Sequence, residues 1–287
     1  MRILVTGGNG QVATALSHHF PKNWHTECLS HQTLDIGNKQ SVNSAITHFL
    51  PDVIINTAAF TAVDEAEKNP DAAFYANGDA VFTLASLCDT KAIPLIHLST
   101  DYLFDGNQCR PYQETDAINP LNIYGLSKWR GEEAIHKVCE AHIILRVSSV
   151  FSPYGKNFVK TILQLAKQKE TLNIVADQTH CPTSARSIAL ALKKIIDNFS
   201  YETCGTYHYC NSPPTTWYDF CKSILSIGNR YQSLQTKNIL PVSSAEFGAL
   251  ALRPRYSVLS CDKIKHFFDV PQLEWLEELG EIIEASI

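Results

Sequence analysis

The sequence lacks any apolar stretch that approaches the roughly 18 residues of a membrane-spanning helix, and it lacks long runs of one charge. Lys and Arg are scattered, and the formal net charge is −5 over 287 residues. A nucleic-acid-binding protein typically shows a basic stripe, so a nucleic-acid partner is not expected. The opening segment MRILVTGG is interrupted by glycine too early for a signal peptide. We therefore expect a cytoplasmic protein that binds neither membrane nor nucleic acid.

Closely spaced metal ligands are also missing. The nine cysteines include no C-x-x-C pair, and the eleven histidines include no H-x-x-x-H pair. These spacings are typical of metal sites, and a disulfide framework needs a secretory context. The sequence thus predicts no metal site, and it predicts reduced, buried thiols.

What the chain does contain is a regular alternation of strands and helices over its first 150 residues. Apolar runs alternate with segments of helical period, in a chain that is 45% hydrophobic. Nearly continuous apolar strands with helices between them indicate a parallel sheet covered on both faces. The fold class is therefore α/β, a doubly wound (Rossmann) sheet. The predicted strands span 2–7, 25–30, 52–59, 93–100 and 142–150.

The pattern changes after Val150. Amphipathic helices are expected over 157–169, 184–199 and 215–225, followed by loops rich in Ser and Pro as far as Ser260. The segment GTYHYC (205–210) is rich in β-forming residues and could return to the main sheet as a late strand. We predict a dinucleotide-binding domain over 1–150 that is rejoined by 182–212. A smaller C-terminal substrate-binding part then covers 151–181 and 213–287.

The segment VTGGNGQVA joins the first predicted strand to the first predicted helix. Gly7 permits a tight turn, Gly10 lets the backbone approach a pyrophosphate, and the small Ala13 lets helix and strand pack closely. The free N–H groups and the dipole of the helix N-terminus favour an anion there. This context predicts a dinucleotide cofactor.

The choice between the two nicotinamide cofactors depends on the end of the second strand. A site selective for NAD carries Asp or Glu there, to bind the ribose 2′-hydroxyl. This chain has Ser30 and His31 instead, with Lys22 and Lys39 nearby in sequence. No carboxylate at this position repels a 2′-phosphate. We expect NADPH or NADH, with NADPH favoured.

A Tyr stands four residues before a Lys twice in the chain, at Tyr124 and Lys128 and again at Tyr218 and Lys222. One helical turn brings both side chains of such a pair to the same face. Only the first pair follows the end of a predicted strand, where Thr100 lies beside the expected cofactor. A Lys ammonium lowers the pKa of a neighbouring Tyr from about 10 and so allows acid–base catalysis. Tyr124 is therefore the predicted catalytic Tyr, and Tyr218 a packing or surface residue.

At this point several motifs together resemble the extended short-chain dehydrogenase/reductase family. They are TGGNGQVA, NTAAFTAVDEAE, LSTDYLFDG, NPLNIYGLSK, ADQTHCPT and ALRPRYSVL, and they run in order over essentially the whole chain. The resemblance implies NAD(P)H-dependent reduction of the C4 carbonyl of a dTDP-linked 4-keto-6-deoxyhexose. It casts Tyr124 as proton donor, Lys128 as ribose ligand and Thr100 as the group that orients the carbonyl. It also implies cofactor contacts at Gly10, Gln11, Val12, Asp35, Ile36, Ala59, Phe60 and Thr61.

On the substrate side, the resemblance adds Asp101 beside the strand-end Thr, and Ser149. Many members carry a Trp at position 149, so the serine puts the identity of the sugar in question. Ala15 stands where some members carry a Glu used in a metal-bridged dimer, so the homodimer expected here needs no metal. Arg253 and Arg255 are candidates for the substrate diphosphate, because a planar guanidinium suits phosphate oxygens. Two surface arginines are the open alternative.

Other functions stay open from the sequence. One is a reductase or epimerase of a different nucleotide-linked keto sugar. A 4,6-dehydratase would need an acid pair after the strand-end Thr, and here Asp101 is followed by Tyr102. A third is a non-catalytic subunit like the regulatory subunit of methionine adenosyltransferase. The set of Thr100, Tyr124 and Lys128 favours an enzyme.

Overall fold

A parallel six-stranded sheet forms the centre of the protein, which a computed structural model describes over residues 1–286. In chain order the strands are β1 (Arg2–Thr6), β2 (His25–Leu29), β3 (Val53–Asn56), β4 (Leu95–Thr100), β5 (His142–Val147), β6 (Val150–Phe151), β7 (Thr171–Val175), β8 (Thr179–His180), β9 (Thr183–Ser184), β10 (Gly205–Tyr209), β11 (Thr215–Thr216) and β12 (Asn238–Val242). The central sheet has the order β10-β5-β4-β3-β1-β2, and every pairing in it is parallel. The strand order reverses next to β1, which opens a crevice between the ends of β1 and β3. The predicted doubly wound sheet is confirmed.

Helices cover both faces of this sheet. They are α1 (Gln11–His19), α2 (Lys39–Phe49), α3 (Val63–Lys68), α4 (Pro70–Phe74), α5 (Ala80–Thr90), α6 (Ile123–Val138), α7 (Phe158–Ala166), α8 (Ala185–Asp197), α9 (Trp217–Gly228), α10 (Ser244–Phe247), α11 (Asp262–Phe268) and α12 (Trp275–Glu284). Successive side chains of a strand point to opposite faces. Ile3 and Val5 accordingly pack in the core beneath α1 and α8, whereas Leu4 packs beneath α2, α5 and α6.

The late segment Gly205–Tyr209 does pair with the main sheet, as the edge strand next to β5. A separate core lies between α7, α9, α12 and β7. The helix α11 packs instead on the edge of the main sheet, where the Phe268 ring lies 5.0 Å from that of Tyr207. The boundary between the two parts of the chain stays a prediction.

The expectation of loops from α9 to Ser260 is wrong, because β12 lies there and pairs in parallel with β7. Its sequence, NILPV, contains Pro241, and none of its five residues is buried. A proline and half-exposed residues give little strand signal, so the pairing with β7 decides this segment.

The helix that carries Tyr124 begins four residues before its predicted start at 127. Asn122 caps it, since its Oδ1 accepts a hydrogen bond of 2.8 Å from the N–H of Gly125. Glu67 accepts another, of 2.8 Å, from the N–H of Ile123. Tyr124 therefore lies in the first turn of α6, at the edge of the sheet where the strands end.

Two expectations from composition can be compared with the structure. No helix among the described residues is long and apolar enough to cross a membrane. All nine cysteines are free thiols, but the prediction that they are buried is wrong for the exposed Cys109 and only partly right for Cys28 and Cys204. These three positions lie outside the apolar stripes that bury the other six.

Candidate active site

A cavity of about 740 Å³ opens where β1, β3 and β4 end. Ligands of open α/β sheets bind at this position. Eleven residues that the sequence assigned to the cofactor line it. They are Gly7, Gly10, Gln11, Val12, Asp35, Ile36, Ala59, Phe60, Thr61, Tyr124 and Lys128.

The glycine turn at the floor of the cavity leaves no room for side chains. Gly7 has φ of +70°, and a Cβ there would lie 2.8 Å from the backbone nitrogen of Ala58. Gly10 is the N-cap of α1 and provides no side chain to its first turn. The first N–H groups of a helix have no partner within it, so here they face the cavity as donors for an anion. This cradle fits the phosphates of a dinucleotide.

The polar groups near the end of β2 differ in part from those expected. His31 and Asp35 line the cavity, and Asp35 also accepts a hydrogen bond of 2.9 Å from the N–H of Gly37. Lys22 and Lys39 are not part of the lining. Both belong to the outer ends of their elements, so nearness in sequence did not place them at the cavity.

The lysine that does line the cavity is Lys156, which the sequence analysis did not single out. It belongs to a loop tied to α1 through Gln11. The Gln11 Oε1 accepts hydrogen bonds from the hydroxyl of Ser152, at 2.8 Å, and from the amide of Asn157, at 2.9 Å. The loop thus closes over the glycine turn, a contact between segments more than 140 residues apart.

Tyr124 and Thr100 lie together at the rim of this cavity. A hydrogen bond from Thr100 lowers the pKa of Tyr124, but burial outweighs it and raises that pKa to about 12. Lys128 was expected to lower this pKa, and it does not act on Tyr124 here. Its Nζ instead donates to the carbonyl of Leu98 at 2.7 Å and lies 3.1 Å from Nε2 of His97. Burial lowers the pKa of Lys128 to about 8.

Asp101 is buried directly behind Thr100. Its carboxylate accepts hydrogen bonds from the hydroxyl of Ser148, at 2.8 Å, and from that of Thr100, at 3.3 Å. Burial raises the pKa of Asp101 to about 6, against the effect of these hydroxyls and of Ser257. Asp101 is outside the cavity lining, so it orients Thr100 from behind.

Ser149 and Arg253, the remaining predicted substrate residues, do not line the cavity. Ser149 has a left-handed backbone, with φ of +45°. The Arg253 guanidinium is occupied by Asp64, through hydrogen bonds of 3.2 and 2.6 Å, and it also bonds to the hydroxyl of Tyr102. Arg255 is exposed. The structure thus brings Arg253, but not Arg255, next to the side chains around Tyr124.

The second Tyr–Lys pair is structural, as predicted. Tyr218 packs in the C-terminal core, and its hydroxyl donates to the carbonyl of Ile239 at 3.5 Å. Lys222 lies over the Tyr218 ring and pairs with Asp219 at 3.1 Å. In the described part of the chain, no group of three or more His, Cys, Asp or Glu could hold a metal ion.

The fold and the cavity agree with the known proteins that this chain is similar to. It is 39% identical over 291 residues to a dTDP-4-dehydrorhamnose reductase of Sinorhizobium fredii, with 100% of this chain and 98% of that protein covered. It is 38% identical over 287 residues to the enzyme of the same name from Aggregatibacter actinomycetemcomitans, with 98% of each covered.

Among solved structures, it is similar to a dTDP-4-dehydrorhamnose reductase of Bacillus anthracis in complex with NADP. The TM-score is 0.92, the identity is 33%, and 98% of each chain is covered. The family model described as "RmlD substrate binding domain" matches residues 1–287. With its reductase resemblance confirmed, the chain belongs to the RmlD substrate binding domain family.

Proposed function

We propose that this protein is an NADPH-dependent reductase that converts the C4 carbonyl of dTDP-4-dehydro-L-rhamnose to the alcohol of dTDP-L-rhamnose. The observation that carries the proposal is the meeting of Thr100, Tyr124 and Lys128 at one end of a cavity that fits a dinucleotide. The names of the relatives supply the substrate class.

The reduced nicotinamide, when bound, supplies a hydride to the carbonyl carbon. The side chains of the protein then have to bind the carbonyl oxygen and give it a proton. Tyr124 suits the second task, because a pKa raised to about 12 keeps its hydroxyl protonated at neutral pH. Thr100, held by Asp101, offers a second hydroxyl to the same oxygen.

The preference for NADPH rests on the end of β2. Among the residues between Ser30 and Thr33 there is no carboxylate, and His31 lines the cavity there. A 2′-phosphate would meet no repulsion at this position. We expect a lower KM for NADPH than for NADH.

The test is to mix the purified protein with dTDP-4-dehydro-L-rhamnose and either NADPH or NADH, and to follow the loss of reduced-nicotinamide absorbance. Replacing Tyr124 with Phe should lower kcat by about a hundredfold to ten-thousandfold, which is the scale of general acid catalysis. Tyr218→Phe is the matched control and should leave kcat unchanged. Tight NADPH binding with no oxidation, on this sugar or other 4-keto nucleotide sugars, would instead favour a regulatory binding protein.

A cytoplasmic location and a homodimer belong to the same proposal. Both rest on the resemblance to the extended short-chain dehydrogenases, and Ala15 gives the dimer no metal ligand at that position. Ala15 is buried in the main core beneath α8. Sedimentation of the purified chain, with and without a metal chelator, tests the dimer and its independence of metal together.

A further inference from the structure

A buried chain of side chains runs beneath the cavity from Thr6 to Lys128. The hydroxyl of Thr6 donates to Oδ1 of Asn56 at 2.6 Å, and Nδ2 of Asn56 lies 2.9 Å from Nδ1 of His97. Nε2 of His97 lies 3.1 Å from Nζ of Lys128. Thr6, Asn56 and His97 are fully buried and Lys128 nearly so. None of the first three was singled out by the sequence.

The orientation of the Asn56 amide is fixed by its other neighbours. The backbone N–H of Ala58 donates to Oδ1 of Asn56 at 3.1 Å, in addition to the hydroxyl of Thr6. Rotating the amide by half a turn would set its NH₂ group against the N–H of Ala58, two donors with no acceptor. The NH₂ group therefore faces His97, and Nδ1 of His97 accepts its hydrogen bond.

This acceptor role decides which tautomer His97 adopts. A neutral imidazole has one N–H, so with Nδ1 accepting, the proton is on Nε2. Burial and the nearby Lys128 lower the pKa of His97 well below its usual value, which keeps the ring neutral. The Nε2–H group then points at Nζ of Lys128. An ammonium has no lone pair to accept this bond, whereas a neutral amine accepts it and still donates to Leu98.

We infer that His97 is a positioning residue for Lys128: held by Asn56 as the Nε2–H tautomer, it donates a hydrogen bond to Nζ and favours the neutral amine. Lys128 is then not a permanent cation but a group that titrates in the neutral range. The assignment of the tautomer stands on contacts alone, and its effect on turnover rests on the proposed function.

The other charged groups near Lys128 do not replace this effect. Glu132, one turn further along α6, favours the ammonium, but it is paired with the buried Arg146 through hydrogen bonds of 2.6 to 3.2 Å. On the reacting side are Tyr124, which is neutral at working pH, and Asp101, which is bonded to serines. His97 on β4 is the group in direct contact with Nζ.

The tautomer can be observed directly. In protein labelled with ¹⁵N-histidine, long-range proton–nitrogen correlation spectra distinguish Nε2–H from Nδ1–H rings, and His97→Gln identifies the signal of His97. We expect the Nε2–H pattern, unchanged between pH 6 and pH 8 on the scale of ordinary histidine titration near about 6.5. An Nδ1–H pattern or a titrating ring would overturn the inference, whatever the enzyme's activity.

The effect on Lys128 can be tested with Asn56→Asp, which keeps the shape and the acceptor for Thr6 and Ala58. The carboxylate accepts from Nδ1–H of His97, so Nε2 becomes an acceptor and the Lys128 ammonium is favoured. We expect the basic limb of the kcat/KM profile to move up by about one pH unit or more. Asn211→Asp, at another buried asparagine in the chain, should leave the limb in place.

A folded Asn56→Asp protein with an unmoved basic limb would also overturn the inference. Absence of NADPH oxidation in the unsubstituted protein would instead overturn the proposed function, and the histidine spectra would still report the tautomer.

Discussion

The Asp64 carboxylate holds the Arg253 guanidinium through two hydrogen bonds, of 3.2 and 2.6 Å, across 189 residues of sequence. Arg253 in turn bonds to the hydroxyl of Tyr102, whose ring lies edge-on to that of Tyr124 at 6.1 Å. The N–H of Ala251 donates to the same carboxylate at 3.0 Å. Asp64 thus ties the loop that carries Arg253 to the helix layer beside the catalytic Tyr.

Replacing Asp64 with Asn should weaken this link and raise the KM for the nucleotide sugar, with a smaller effect on kcat. The side chain of Asp64 is 46% exposed, so solvent screening reduces the loss to about 1 kcal/mol, or roughly fivefold in KM. Steady-state kinetics at saturating NADPH measure it. Asp79→Asn removes the more exposed partner of Arg130 and serves as the control. Equal KM values in all three proteins would show that Arg253 plays no part in substrate binding.

Gly125 follows Tyr124 in the first turn of α6, and it has no space for a side chain. A Cβ there would lie 2.2 Å from the carbonyl oxygen of Tyr102. Gly125→Ala should destabilise the protein by about 1–3 kcal/mol, as overpacking does, and should reduce kcat because the turn that carries Tyr124 must shift. Denaturant unfolding and steady-state kinetics measure the two effects.

The matched control for that substitution is Gly280→Ala in α12, where nothing lies within 4 Å of the added Cβ. This change should stabilise the protein by roughly 0.5–1 kcal/mol, because alanine is the better helix former. If both alanines destabilise alike, the close contact with Tyr102 is not the cause of the effect at Gly125.

Asp101 should give the stability of the protein an unusual dependence on pH. Its pKa is raised by burial from 3.8 to about 6, so between these values the folded chain holds a proton that the unfolded chain has lost. The free energy of unfolding should therefore fall as pH rises from 4 to 6, by about 1 kcal/mol per pH unit from this group. Ordinary carboxylates in ion pairs act in the opposite direction.

The measurement is the difference in unfolding free energy between the unsubstituted protein and Asp101→Asn, taken at several pH values. That difference cancels the other carboxylates and isolates Asp101. A difference that does not change from pH 4 to pH 6 would mean that the folded-state pKa of Asp101 is close to its ordinary value.

Much of the fold could be predicted because the strands of a doubly wound sheet are buried on both faces. Strands β1, β3, β4 and β5 are then apolar throughout and stand out in sequence. The half-exposed β12 has no such pattern, because it gains its place by pairing with β7. The start of α6 was missed for a related reason, since its cap, Asn122, lies in a loop without helical period.

The cavity residues were predictable because glycine turns and strand ends occupy fixed positions in this fold. The residues behind them were not. His97 reads as an interruption of an apolar strand, and Asp64 as one acid of a charged helix. What gives either a role is a contact with a residue more than 30 positions away, at Lys128 and at Arg253. Periodicity carries no information about such contacts.

The return of β10 to the edge of the sheet bears on how the protein is made. During synthesis, β5 has no neighbour on its outer side until Tyr209 has left the ribosome, which is 209 of 287 residues. Until then the growing chain carries a buried-type strand with an open edge, the kind of surface that pairs with other chains. The nucleotide-binding half, although it comes first, can complete its sheet only after most of the second half exists. Chaperone dependence and aggregation of truncated chains should therefore concentrate in the interval between Val147 and Tyr209.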